Sequence, residues 1–389
     1  MRYITAGESH GRGLFAIVEN FPAGLSIDAE YINTDLRRRQ MGYGRGGRMK
    51  IETDAVEFLS GVRWGKTFGS PITMAVWNRD NKNWQSMMSP LASEENPEAR
   101  VRHPRPGHAD LGGCLKRNMH DVRNILERSS ARETAIRVAL GGLCRRLLEH
   151  FGVSIQSHVC SIGAIESQVK ATDIDDLTSI SARADQSIVR FLHTSQDDEA
   201  REYIDTIRRQ GNTLGGVIEI IVTGVVPGLG DYASYGDKLD GRIGQALLGM
   251  QAIKGVEIGI GFEAAHRPGS EVHDEIFFDQ QQHRFYRGTN RAGGIEGGMS
   301  NGMPMVIRVA KKPIPTLYTP LKSVDIDTKE PYEATIERSD TTAVPAASVI
   351  TEAICATVIA QAYMEKFGHD SLEEMLRNFH GYQEQLRHF

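Results

Sequence analysis

A helical pattern over Asp28–Arg39 runs into a stretch that no helix continues. Arg37-Arg38-Arg39-Gln40-Met41-Gly42-Tyr43-Gly44-Arg45-Gly46-Gly47-Arg48 places five arginines in twelve residues, with glycine at 42, 44, 46 and 47. Each glycine costs a helix interior roughly 1 kcal/mol relative to alanine, so the stretch is a loop with special backbone angles. Arginine presents a planar fork that grips carboxylates and phosphates through two bonds, which points to an anionic ligand. Solvated surface ion pairs are the plainer reading, and residue types alone leave both open. Gly42, Gly44 and Gly47 spell GxGxxG, but a dinucleotide fingerprint follows a strand and opens a helix, whereas this one follows a helix and enters strand-like Met49-Lys50-Ile51. An RGG-type RNA contact is a rival. The motif occurs once in a structured chain of net charge −5, which weighs against it.

The charge is unevenly placed. Of 45 basic residues, 33 are arginine, and residues 1–150 hold 23 basic against 17 acidic side chains while the remainder hold 22 against 33. The N-terminal residues lack the basic start, apolar stretch and small-residue cleavage site of a secretory signal, so a cytoplasmic location is expected. Val217–Val226 reads as the most apolar segment; it is short and carries Glu219, so no membrane span is expected. Cysteines at 114, 144, 160 and 355 form no close pair, which argues against disulfides and Cys-based zinc sites. Neither HExxH nor GxxxxGK[ST] occurs.

Helical and extended patterns alternate from end to end without linker or repeat, which reads as one compact unit over residues 1–389. The spacing predicts helices over Asp28–Arg39, Ala131–Phe151, Asp197–Gln210, Lys238–Met250 and Ala346–Phe367, with Gly152, Gly211 and Gly368 as stops. It predicts strands over Leu14–Glu19, Ile72–Trp77, Val153–Ile162, Val217–Val226 and Met305–Val309. The mixed order favours α+β with antiparallel sheets. Ser130-Ala131-Arg132-Glu133 fits a capping box, and Ile136, Leu140, Leu143 and Leu147 then recur on one face. With Arg128 and Arg132 beside it, that helix start suits an anion.

Other segments carry chemistry. His10 and His108 sit in polar, Gly-bearing turns, Gly7-Glu8-Ser9-His10-Gly11 and Arg105-Pro106-Gly107-His108-Ala109-Asp110, and neither lies on an apolar periodic face. An imidazole beside arginines can donate a proton to a bound phosphate, although a lone histidine is commonly structural. Arg338-Ser339-Asp340 precedes a strongly apolar helix; its carboxylate suits a base, or only a loop-fixing pair with Arg338. Residues 293–302 form a second Gly-rich loop, and Lys311-Lys312-Pro313-Ile314-Pro315-Thr316 adds charge on rigid backbone. Physics alone supports an anion-binding enzyme of unknown reaction.

Together these segments resemble the chorismate synthase family, in order and across nearly the whole chain. The matching runs are GESHG at 7–11, RRRQ at 37–40 with GYGRGGRMKIE at 42–52, RPGHAD at 105–110, ERSSARET at 127–134, KGVEIG at 254–259, GGIEGGMSNG at 293–302, KPIPT at 312–316, and RSD at 338–340 with AVPAA at 343–347. The resemblance implies a helical layer sandwiched between antiparallel β-sheets, a homotetramer, and binding of reduced FMN with 5-enolpyruvylshikimate 3-phosphate. It implies a 1,4-anti elimination of phosphate that forms chorismate, the last step of the shikimate pathway, with the reduced flavin lending electron density transiently and no net redox change. NAD(P)H would enter only indirectly, through an external flavin reductase. Neither nucleic acid, membrane nor metal is part of that expectation.

Carried over residue by residue, the resemblance makes His10 the donor to the departing phosphate, His108 the partner of the reduced flavin, and Asp340 the base that acts with flavin N5 on the C6 proton. Arg39, Arg45, Arg48, Arg105 and Arg132 would grip substrate, and Arg338 would lie between substrate and flavin. Arg128, Ser129, Ser130, Gln251, Ala252, Gly297, Lys312, Pro313, Ile314, Pro315 and Thr316 would contact the cofactor. Thr342 stands where many members have Cys, Gln251 where Asn is frequent, and His103 has no counterpart role. A catalytically silent flavin-binding homologue is the other rival; it would bind flavin without turnover.

Overall fold

The computed structural model describes residues 1–46, 52–337 and 339–389. Arg48, Arg338 and the strand-like run 49–51 lie outside the described residues. Strands β1 (Arg2–Gly7) and β2 (Gly13–Glu19) pair antiparallel with Gly7 opposite Leu14, so residues 8–12 form the turn that carries His10. Gly7 is required at that corner, because its φ is +105° and a Cβ would meet the Gly13 carbonyl oxygen at 2.2 Å. β3 (Val56–Ser60) and β4 (Ile72–Trp77) complete a four-stranded sheet in the order β1-β2-β4-β3. A second sheet holds β5 (Ser154–Ile162), β6 (Ile165–Glu166), β7 (Gly216–Thr223), β8 (Ile253–Ile258) and β9 (Met305–Lys311), ordered β8-β9-β7-β5-β6 and antiparallel at every ladder.

Nine helices are described: α1 (Ala29–Gln40), α2 (Asp110–Arg117), α3 (Arg123–Ser129), α4 (Thr134–Glu149), α5 (Ile180–Ala184), α6 (Asp197–Arg209), α7 (Leu239–Leu248), α8 (Val344–Phe367) and α9 (Leu372–His388). α4 packs along α8, with β2 and β4 against α4 and β5 and β7 against α8, so the helices lie between the two sheets as expected. The closest approach passes over Gly141, where a Cβ would stand 2.3 Å from that of Ala353. Ile136, Leu140, Leu143 and Leu147 are all buried on α4, and the three glycines read as stops carry positive φ.

Three expectations need correction. Val344–Phe367 is long and apolar enough to cross a membrane, so Val217–Val226 is not the segment that matters; 94% of its apolar window is buried against the sheets and α4, where an all-round apolar helix finds its partners inside the protein. The capping box does not form. Residues 131–133 make a 3₁₀ turn in which the Ser130 hydroxyl accepts from the Arg132 N–H at 3.3 Å, and the Glu133 carboxylate turns to Arg137 instead. α2, α3, α5 and α9 went unread from the sequence: α2 carries adjacent glycines, α5 is only five residues long, and α9 buries only Leu372, Met375 and Phe379, too thin a stripe to stand out in a polar helix.

Candidate active site

The β1–β2 turn, the end of α1, the α3–α4 junction, the end of β9 and the first turns of α8 enclose a cavity of about 570 Å³. Ala343, Ala346, Ala347 and Ile350 give it one apolar wall. The cationic side chains that line it are Arg39, Arg45, Arg105, Arg132, Lys311 and Lys312, against the carboxylates Glu52, Glu337 and Asp340. The five-arginine segment therefore does not act as one patch. Arg37 pairs with Glu30 at the surface, Arg38 turns into the core, and only Arg39 and Arg45 of the described members reach the cavity.

His10 is held on several sides. Its Nδ1 lies 2.8 Å from Glu127 Oε1, its backbone N–H donates to Glu127 Oε2 at 2.8 Å, and the Trp84 ring stacks on it at 4.0 Å. The carboxylate at Nδ1 fixes the orientation of the ring. Burial would push the Glu127 carboxyl up, but the hydrogen bonds from His10 and the nearby Arg123 guanidinium outweigh it and hold it below the usual carboxylate range.

His108 is built into a second cluster. Its Nδ1 bonds Asp110 Oδ1, while Arg105 Nε donates to Asp110 Oδ2 at 2.8 Å and Arg105 Nη1 donates to Thr316 Oγ1 at 3.1 Å. Burial disfavours the Asp110 charge, yet His108 and Arg105 hold its carboxyl well below the ordinary range. The RPGHAD run thus folds onto itself, and the fifth and sixth letters of that motif do different work: Ala109 is the N-cap of α2, and Asp110 anchors Arg105 and His108.

Asp340 and the Gly-rich loop meet directly. Gly46 N–H donates to Asp340 Oδ1 at 2.6 Å, Arg45 Nη1 stands 3.3 Å from Oδ2, and Thr341 N–H donates to the Gly44 carbonyl at 2.8 Å. Behind them Arg39 and Arg132 share Asp54, at 3.2 Å and 2.6 Å. Burial, with Arg132 and Arg45 beside it, pushes Arg39 down to about 10 against the pull of Asp54 and Asp340. Arg132 Nη2 is buried with no hydrogen-bond partner among the described residues, and Glu52 Oε2 lies 3.6 Å away. A buried donor of this kind is costly unless a ligand meets it.

The residues expected at a cofactor divide. Ser129, Ser130, Gln251, Ala252, Lys312, Ile314, Pro315 and Thr316 line the cavity. Gln251 Nε2 donates to Glu133 at 3.3 Å while its Oε1 is buried and has no partner among the described residues. Pro313 is exposed beside them. Arg128 turns away to the carbonyls of Gly7 and Thr5, at 3.0 Å and 2.9 Å. Gly297 lies in an exposed hairpin turn off the cavity. His103 is also off the cavity, stacked on Tyr332 at 3.7 Å and 3.4 Å from Asp325. Sequence reasoning gave no role to Glu127, Asp110, Trp84 or Lys311. Glu127 and Asp110 stand inside motifs already singled out, so a carboxylate within hydrogen-bonding reach of each histidine was the available signal; Trp84 had none.

A family model described as chorismate synthase matches residues 1–364. A chorismate synthase of Geotalea uraniireducens (strain Rf4) is 55% identical over 394 residues, covering 100% of both chains. One from Enterococcus faecalis (strain ATCC 700802 / V583) is 54% identical over 379 residues and covers 96% of each. A crystal structure of a chorismate synthase superposes with a TM-score of 0.81 at 43% identity, over 100% of this chain and 98% of that one.

Proposed function

The chain belongs to the chorismate synthase family, and on that premise we propose that this cavity holds reduced FMN beside 5-enolpyruvylshikimate 3-phosphate and expels phosphate by 1,4-anti elimination. The enzyme is a lyase of aromatic amino acid biosynthesis. The observation that carries the assignment is that His10, His108 and Asp340 line one cavity in which six cations face three carboxylates. A substrate with two carboxylates and a phosphate brings about four negative charges, opposite in sign to that cationic excess.

The cavity fits the flavin as well. Buried Gln251 Oε1 is an acceptor awaiting a donor, Ala252 holds a left-handed backbone with φ of 69° beside it, and the alanine wall at the start of α8 offers apolar surface to a ring system. Gln251, Ala252, Ser129, Ser130 and Lys312 would hold the cofactor. When bound, the reduced flavin supplies electron density to the substrate as the allylic C–O bond breaks. Arg39, Arg105 and Arg132 orient the anionic groups, and the Trp84 ring packed on His10 keeps water from one face of the imidazole. The His10 ring donates to the departing phosphate oxygen, which leaves with the C–O electron pair. Asp340 accepts the C6 proton, and the C6–H bond pair becomes a new double bond as the existing one shifts toward the carbon that loses phosphate. We read the whole chain as one catalytic unit, a homotetramer working in the cytoplasm with an external flavin reductase.

Anaerobic incubation with 5-enolpyruvylshikimate 3-phosphate and chemically reduced FMN is expected to yield chorismate, and NAD(P)H without an external reductant to yield none. No chorismate with reduced FMN sinks the assignment. Glu127→Gln retains the shape at His10 but removes the negative charge beside its ring. Its kcat is expected to fall about 10²-fold with KM little changed. An unchanged kcat would leave Glu127 a structural residue only.

A further inference from the structure

We propose that Lys311 is a further substrate-binding group of this cavity, a buried amine without a carboxylate partner whose full charge is completed by the anionic substrate. The proposal rests on the functional reading above and adds to it a residue and a proton.

β9 alternates strictly between faces. Met305, Ile307 and Val309 point inward and are buried, and the next inward position is Lys311, 7% exposed at the cavity wall. The strand therefore delivers an amine where its pattern calls for a fourth apolar side chain. A buried ammonium normally requires a carboxylate partner. Among the described residues none lies within 4.0 Å of Lys311, and its hydrogen bond is to the Lys312 carbonyl at 3.3 Å. Its cross-strand neighbours, Gly216 on β7 and Ile253 on β8, carry no charge. The charged groups that face it are Asp340 from the segment before α8, Arg45 from the loop after α1, and Lys312 beside it. Two of those three are cations.

The proton follows from the geometry. Burial pushes the Lys311 ammonium down to about 8, Arg45 and Lys312 act in the same direction, and Asp340 opposes them. A ligand carrying about four negative charges reverses the local balance and favours the ammonium. Binding is then linked to proton uptake from just below pH 8 upward to the pKa of the complex; below that window the amine is already charged and no proton is taken up. Near pH 8 the neutral fraction spares the cavity one more unpaired cation, and substrate restores the full charge.

The test is calorimetric titration of 5-enolpyruvylshikimate 3-phosphate into the full-length enzyme with oxidised FMN, which allows binding without turnover. Run at pH 8 in two buffers of different ionisation enthalpy, wild type is expected to take up about half a proton per site beyond any taken up by Lys311→Met. Lys311→Met should bind about 10-fold more weakly. Lys311→Arg, always charged, should bind as tightly as wild type without that half proton. At pH 6.5 the uptake by wild type and Lys311→Arg should coincide. Equal proton uptake by wild type and both variants at pH 8 overturns the role of Lys311 while leaving the functional reading intact. Absence of binding by wild type overturns the functional reading and the role of Lys311 with it.

Discussion

Asp340→Asn is expected to lower kcat by about three orders of magnitude while substrate binds as tightly as before or more so. Asp340 is the proposed base: Gly46 fixes one oxygen at 2.6 Å and Arg45 stands 3.3 Å from the other, which keeps the group aimed. Asparagine preserves the acceptor for Gly46 N–H and the size of the group, so the loop after α1 should stay in place. What it removes is basicity and one negative charge. In a cavity already short of carboxylates relative to cations, loss of that charge strengthens the field that draws in an anion. A side chain that merely tied the loop down would show the opposite split, with affinity falling alongside rate. Single-turnover measurement with reduced FMN, paired with calorimetric binding in the oxidised form, separates the two; a variant at full rate removes Asp340 as the base.

The fate of neighbouring arginines shows how far sequence reaches. Strand alternation and helical spacing disclosed the strands that carry the second sheet and the helices between the sheets, because burial on one face leaves a periodic record. The catalytic candidates were legible for a related reason: histidines in Gly-bearing turns lie on no apolar face, and His10 and His108 do reach one cavity. Direction within a run of like residues leaves no such record. Arg37, Arg38 and Arg39 are consecutive on α1, each about 100° further around the helix than the last, so they face solvent, core and cavity in turn. Periodicity also cannot separate a lysine at a cavity wall from one at the end of a strand in water, which is why Lys311 read only as added charge. The box expected at Ser130 failed because Glu133 found Arg137, a choice that helix spacing permits and only the packed structure decides.

Glu352→Gln is expected to cost about 3–5 kcal/mol of stability, the range seen when one partner of a buried ion network is removed. Glu352 lies fully buried on α8 and accepts from Arg38 at 2.8 Å and 3.0 Å, Arg145 at 2.7 Å, and the hydroxyls of Ser157 and Ser181 at 2.6 Å and 2.8 Å. Arg190 joins from 3.3 Å, and Asp35 and Asp185 balance the remaining guanidinium charge. Burial alone would raise the Glu352 carboxyl, but Arg38, Arg145 and Arg190 hold it far below the ordinary range. Because the folded value lies below the unfolded one, near 4.3, its contribution is fully present above that pH and is lost as pH falls. The gap between wild type and variant in urea should therefore be widest near neutrality and close under acid. A gap below about 1 kcal/mol at pH 7, or one that ignores pH, contradicts the network's role. Arg190, which burial pushes down to about 9 even with Glu352 beside it, is the guanidinium left most exposed to that loss. The same clamp fixes the last turn of α1, so Arg38 held in the core sets where Arg39 enters the cavity; at temperatures where the variant stays folded, its defect should therefore fall on substrate affinity before it falls on the rate of proton transfer at Asp340.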